Sequence, residues 1–101
     1  MSQIEELLKD YLNYLEIERN RSPKTRENYE RYLKEFLAFS GAKSPKDITE
    51  EIVREFRIAL ARPNFHKKFG TLKKITQSYY IIALRNFLKY LSRRDIKVLS
   101  P

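Results

Sequence analysis

Cysteine is absent from the chain, so neither a disulfide nor a thiolate metal site can form. A single histidine, His66, argues against a histidine-based metal centre and against a Ser-His catalytic pair. Only two glycines and four prolines interrupt the sequence, which suits long helices joined by few turns. No glycine-rich phosphate loop is present. No apolar run approaches the roughly 20 residues that cross a bilayer, and the acidic N-terminal segment does not have the form of a signal peptide. Acids are nearly missing from one end: Asp95 is the sole acid between Arg62 and Pro101, against ten lysines and arginines. The expectation is a basic, soluble, cytoplasmic protein with no cofactor, no metal and no membrane.

What is present fits one folded domain. The 101 residues are 42% hydrophobic and 13% aromatic, enough for one core and outside the range of disordered chains. The formal net charge of +8 is unevenly spread. The first eighteen residues hold Glu5, Glu6, Asp10, Glu16 and Glu18 against Lys9 alone. A concentrated basic face suits a polyanionic partner, because each neutralised phosphate releases a condensed counterion.

Periodicity predicts four helices and no sheet. Ser2 with Glu5 forms a capping box for the first helix, whose apolar stripe is Ile4, Leu7, Leu8, Tyr11 and Leu15. Ser22-Pro23 starts the second, with Tyr29, Leu33, Phe36, Leu37 and Ser40 on one face and Gly41 as its stop. Lys24, Asn28, Arg31, Lys34 and Glu35 fall on its other side. Thr49 starts a third helix, with Ile52, Val53, Phe56 and Leu60 inward, and Glu50 and Glu51 suit its N-terminal dipole. Residues 63–75 are read as a basic loop with interleaved aromatics. Thr76 is placed as the cap of a fourth helix running to Leu91 or Ser92. In that helix Tyr80, Ile81, Leu84, Phe87, Leu88 and Leu91 share one arc, and Ser78, Ile82, Arg85, Asn86, Lys89 and Arg93 the opposite one. The architecture expected is all-α: two helical hairpins packed face to face.

No constellation of catalytic residues emerges. Tyr11, Tyr29, Tyr80 and Tyr90 lie on or beside apolar stripes and read as core or boundary residues. His66 has no acid near it in sequence to orient it, so an exposed or phosphate-facing place is expected. Adjacent acids such as Glu5-Glu6 point about 100° apart on a helix and do not converge as a general acid and base would.

The basic faces carry the functional reading. Thr76, Gln77, Ser78 and Tyr79 at the start of the fourth helix offer hydroxyls, an amide and backbone N–H groups to phosphates or base edges. Arg85 and Lys89 extend a cationic stripe along it, and Lys67, Lys68, Lys73 and Lys74 reach flanking backbone from the preceding segment. The second helix offers Lys24, Thr25, Asn28, Arg31 and Lys34. A helix fits the major groove of B-form DNA, whereas duplex RNA denies that access. The rival reading is a helical protein-interaction module, since a helical fold alone does not fix function.

The second helix, Ser22 to Phe39, reads S-P-K-T-R-E-N-Y-E-R-Y-L-K-E-F-L-A-F. It resembles the S-x-x-T-x3-Y-x3-L-x2-F signature of the N-terminal core-binding domain of tyrosine recombinases, the phage-integrase and Xer-type enzymes. Asp47-Ile48-Thr49 ahead of Ile52 and Phe56 resembles that family's entry to its third helix. Thr76, Ala83-Leu84-Arg85, Phe87 and Tyr90-Leu91 resemble its T-x6-A-L-R-x-F-x2-Y-L fourth helix, and Ser100-Pro101 falls where the family has Asn-Pro. The ordered set covers nearly the whole chain.

The resemblance implies a SAM-like four-helix domain over residues 1–93, clamping duplex DNA at a recombination half-site, with 94–101 as the start of a linker. It implies DNA-facing roles for Lys24, Thr25, Asn28 and Arg31 on the second helix, and for Thr76, Gln77, Ser78, Tyr79, Arg85 and Lys89 on the fourth. It also implies neighbouring recombinase protomers as partners, with the acidic first helix as the candidate surface. The family's chemistry uses two arginines, a lysine, a His-x-x-Arg element and a nucleophilic tyrosine in a second domain. His66 is followed by Phe69, not arginine, at that spacing. The chain is therefore expected not to cut DNA, and to be a fragment of a recombinase or, alternatively, a standalone binding domain.

Overall fold

The computed structural model describes residues 1–66 and 70–100. Four helices follow one another: α1 (Gln3–Ile17), α2 (Pro23–Ser40), α3 (Glu50–Ala61) and α4 (Lys74–Arg93). One 3-10 turn, Pro45–Asp47, lies between α2 and α3. Among the described residues the only strand-like pairing is an isolated antiparallel bridge between His66 and Gly70. The molecule is all-α, as its patterning predicts.

Local chemistry explains most boundaries. Ser2 and Glu5 make the predicted reciprocal capping box. Ser22 Oγ accepts from the Thr25 amide at 3.1 Å, and Pro23 occupies a position where its missing N–H costs nothing. Gly41 ends α2 in the left-handed conformation, φ +69°, its N–H donating to the Leu37 carbonyl. Thr49 caps α3 through the Ile52 amide. Asp47 accepts from the amides of Lys43 and Ser44, each at 3.0 Å, and so closes the 3-10 turn.

The start of α4 differs from the sequence reading. The helix begins at Lys74, not after Thr76, and Lys73 stands at the cap position without a side-chain cap bond. Leu72 is sunk into the core, and the Gln77 side-chain amide donates to its carbonyl at 3.1 Å. The Gln77 backbone amide donates to the Lys73 carbonyl. A buried anchor and a side-chain hook thus set the entry, and Thr76 lies within the first turn. The helix also runs to Arg93, a residue or two further than the apolar pattern suggested.

Packing joins α1 to α2, α2 to α4, α3 to α4, α1 to α4 and α2 to α3. Two aromatic clusters lock it. Tyr11 lies 5.3 Å from Phe87 and 5.2 Å from Tyr90, tying α1 to α4. Phe56 of α3 meets Phe36 of α2 edge-on at 5.0 Å and Tyr80 of α4 at 6.0 Å. Aromatic pairs prefer such tilted geometries and add to simple area burial. Among the described residues the buried core is wholly apolar or aromatic. Tyr32, outside the expected stripe of α2, is buried against Tyr80 with ring centroids 4.6 Å apart. Ile96 and Val98, after α4, also lie half-buried against the core.

Candidate nucleic-acid interface

The helices α2 and α4 meet along a seam that runs antiparallel. Tyr29 faces Asn86, whose Nδ2 donates to its hydroxyl at 3.5 Å, and six residues earlier on α4 Tyr80 faces both Tyr32 and Glu35. The outward side chains next to this seam include several polar and cationic groups. Arg31 is exposed, with its guanidinium 5.0 Å from the Tyr32 ring centre and Nη1 3.3 Å from Asn28 Oδ1. Lys24 is exposed one and two turns earlier than these, 3.9 Å from Glu27. On α4, Ser78, Tyr79, Arg85 and Lys89 are exposed, and Ile82 joins them at 43% exposure.

The remaining candidates divide. Lys73 and Lys74 are exposed at the start of α4. The step from Lys74 to Lys89 covers about 22 Å of helix, so the cations run along most of its length. Thr25, Thr76 and Gln77 are half-buried. Thr25 Oγ1 is 3.0 Å from Ser22 Oγ and belongs to the cap of α2, and Gln77 is the hook on Leu72. Ser78 Oγ donates to the Lys74 carbonyl at 3.2 Å, which leaves its oxygen able to accept. Lys67 and Lys68, with Phe69 and Pro101, lie outside the described residues.

His66 is not free of acids, as its sequence neighbourhood suggested. Its Nε2 is 2.9 Å from Glu35 Oε1, and the Tyr80 hydroxyl donates to Glu35 Oε2. Glu35 is accordingly a half-buried member of a Tyr80–Glu35–His66 chain and not part of an open polar face. Burial, then the bond to Glu35 and the charge of Glu35, push the Tyr80 hydroxyl far above its ordinary pKa, so it stays a donor. The chain pins the segment before α4 to α2.

A second basic cluster was not picked out from sequence. Arg19 and Arg21, in the turn between α1 and α2, line a crevice of about 170 Å³ with Lys89 and Arg93 of α4. Its other walls are Tyr11, Tyr14, Leu15, Tyr29, Asn86 and Tyr90, with no acid among them. Asn20 between the two arginines adopts φ +52°, a left-handed turn that asparagine tolerates. The Arg-Asn-Arg triplet follows the end of α1, and its meeting with the far end of α4 is a product of the packing. The Tyr11 hydroxyl is buried with no hydrogen-bond partner. The other such atom is Arg26 Nε, which still faces Glu16 Oε1 at 3.3 Å. An unpaired buried hydroxyl costs about 1–3 kcal/mol. Burial, with Tyr29 and Tyr14 adding, pushes the Tyr11 pKa far up, so this group too is a neutral donor.

Among the described residues no cluster of His, Asp and Glu could hold a metal ion, and no helix is long and apolar enough to cross a membrane. Comparison with known proteins follows the same line as the fold. The model of the phage integrase N-terminal SAM-like domain matches residues 8–95. Tyrosine recombinase XerC of Actinobacillus succinogenes is 33% identical over 97 residues, which cover 93% of this chain and 30% of that protein. The chain thus spans less than a third of the length of the curated relative it matches. No solved structure matches it. The four capped helices and the match across nearly all of them lead to one conclusion: the chain belongs to the phage-integrase N-terminal SAM-like family, as an Xer-like tyrosine recombinase N-terminal domain.

Proposed function

We propose that this domain binds double-stranded DNA, with α2 and α4 turned to the major groove of a recombination half-site, as the DNA-gripping part of a site-specific tyrosine recombinase. The observation that carries the reading is the seam itself. Packing of Tyr32 on Tyr80 and of Tyr29 on Asn86 sets Arg31 beside one wall and Lys89 beside the other. Lys24, Asn28, Arg31, Arg85 and Lys89 are assigned to the duplex, with Lys73 and Lys74 on flanking phosphates. Exposed Tyr79 and Ile82 between those cations suit apolar contact with a thymine methyl. Thr25, Thr76 and Gln77 act through the helix starts they shape, and Ser78 as an acceptor at the same end. The binding surface is assigned to residues 1–93, with Ile96 and Val98 packed against the same core. No strand cutting is assigned to these residues; the site of action is wherever the cell keeps its DNA, the cytoplasm for a bacterium.

Binding to a mixed-sequence duplex, followed by fluorescence anisotropy across a salt series, tests this. Log K should fall with log salt by about 0.9 per phosphate neutralised. A flat line would remove DNA phosphates as the partner. Lys73→Ala should weaken all duplexes alike, whereas Arg85→Ala should weaken them according to sequence, by about 1–3 kcal/mol on the preferred site. Equal losses from Arg85→Ala on every duplex would demote it to a backbone contact.

A second reading, a protein-interaction module, draws on a different face. Ile58 of α3 is 51% exposed and, with Val53, Ala61 and Leu99, lines an open groove of about 690 Å³. Neighbouring protomers on the same DNA are the partners this reading supplies, with the acidic α1 as a further surface. No duplex binding at low salt in the anisotropy series would favour it over the DNA reading.

A further inference from the structure

The crevice at the α1–α2 turn has an unusual combination of features. Four cations line it, Arg19 and Arg21 from the turn and Lys89 and Arg93 from α4, with no acid in its walls. Among the lining residues Tyr11 is 1% exposed, and its hydroxyl has no partner among the described residues. The neighbouring Tyr90 hydroxyl is already engaged, accepting from Arg94 Nη1 at 2.6 Å. The Tyr29 hydroxyl accepts from Asn86 and keeps its own proton to donate. The crevice therefore offers donors and positive charge, with the buried Tyr11 hydroxyl unpartnered among the described residues. Its volume of about 170 Å³ has room for a small oxyanion.

We infer that this crevice is a binding site for a single phosphate group, with the Tyr11 hydroxyl as its buried donor and Arg19, Arg21, Lys89 and Arg93 as its counter-charge. A cationic rim alone would be satisfied by solvent. The buried, unpartnered hydroxyl is what asks for an acceptor, and a phosphate oxygen is an acceptor that the rim also attracts. A carboxylate offers two acceptor oxygens in one plane, which suits a flat guanidinium fork better than donors arriving from a turn, a helix and a core tyrosine. The phosphate has two possible sources: the backbone of a bound duplex or a free phosphate ester. Assigning it to the duplex rests on the DNA reading above, and Lys89 is shared by the two sites; the phosphate site itself does not depend on that reading.

The test uses the whole 101-residue chain. In the first arm the isotope-labelled chain is titrated with inorganic phosphate against chloride at matched ionic strength, and amide shifts are followed. Shifts at Tyr11, Arg21 and Lys89 specific to phosphate are expected. Tyr11→Phe should weaken phosphate about tenfold, the loss of one charge-assisted bond, while leaving the melting temperature of the free chain unchanged or raised. Arg93→Gln, on the exposed rim, should weaken phosphate without touching the core. In the second arm both variants are titrated with duplex DNA. A similar loss there identifies a backbone phosphate as the source. A duplex response identical to the unaltered chain, alongside lost phosphate binding, identifies a free phosphate ester instead. No preference for phosphate over chloride, or a Tyr11→Phe chain that binds phosphate as well as the unaltered one, overturns the inference. Neither result bears on the salt series, which judges the DNA reading separately.

Discussion

At the scale of single residues, the side chain that most changes its meaning on folding is Glu35. By helical spacing it belongs with Lys24, Asn28 and Arg31 on an outward face. In the folded chain it accepts from Tyr80 and meets His66, tying α2 to α4 and to the segment before it. Glu35→Ala should destabilise the domain by about 1–3 kcal/mol, because the buried Tyr80 hydroxyl loses its acceptor. Urea unfolding measures the loss, and faster amide exchange at His66 and Gly70 should accompany it. Unchanged stability and exchange would show that the chain of bonds bears no strain of holding the loop. Asp47 acts by a different route. Amide donors from Lys43 and Ser44 hold its carboxyl below the usual carboxylate range. A depressed folded-state pKa contributes stability that is complete above the ordinary carboxylate pKa and disappears as pH falls through the lower, folded value. Thermal unfolding between about pH 7 and pH 3 should therefore show a smaller acid loss in Asp47→Asn than in the unaltered chain. Parallel curves would mean that Asp47 does not contribute to acid sensitivity.

At the scale of elements, the helices start and stop where short side chains tell them to. Ser2, Ser22 and Thr49 each accept from an amide three residues on, and these signals are contained within a turn of sequence. Gly41 is the matching stop. A Cβ built there meets no atom within 4 Å, so Gly41→Ala should cost only the left-handed backbone penalty, about 1 kcal/mol. Chemical denaturation checks it, and Gly41→Asn should recover part of the loss because asparagine tolerates that conformation. A penalty several times larger would mean that α2 shifts against α4 when its end is strained. The start of α4 shows where such local signals fail. Thr76 looks like a cap and is not one, because the buried Leu72 and the hook from Gln77 begin the helix three residues sooner. That bond depends on Leu72 reaching a core that α1, α2 and α3 complete, which no window of sequence contains.

At the scale of the whole molecule, charge and packing pull in different directions. A net charge of +8 on 101 residues repels itself, and the aromatic clusters hold it together regardless. Added salt screens that repulsion over a distance of about 10 Å at 0.1 M. The melting temperature of the free chain should therefore hold or rise with salt, while duplex affinity falls over the same range. Calorimetry and anisotropy on one salt series measure both. A melting temperature that falls in step with affinity would show that ion pairs such as Arg26–Glu16 and Lys34–Glu30 outweigh the excess of like charge.

The sequence by itself determined the four helices, three of their caps, the stop at Gly41 and the family, because capping and apolar periodicity act within a few residues and survive as readable spacing. It also named Arg31, Arg85 and Lys89 as outward cations. Only the tertiary structure decided which outward positions stay outward. It drew Glu35 inward to Tyr80 and His66, and buried Tyr32 between α2 and α4. It also brought Arg19 and Arg21 to Lys89 and Arg93 over an unpaired tyrosine hydroxyl. These partners lie tens of residues apart along the chain. Their meeting is set by how two hairpins cross, a property of the packed core that no local pattern encodes.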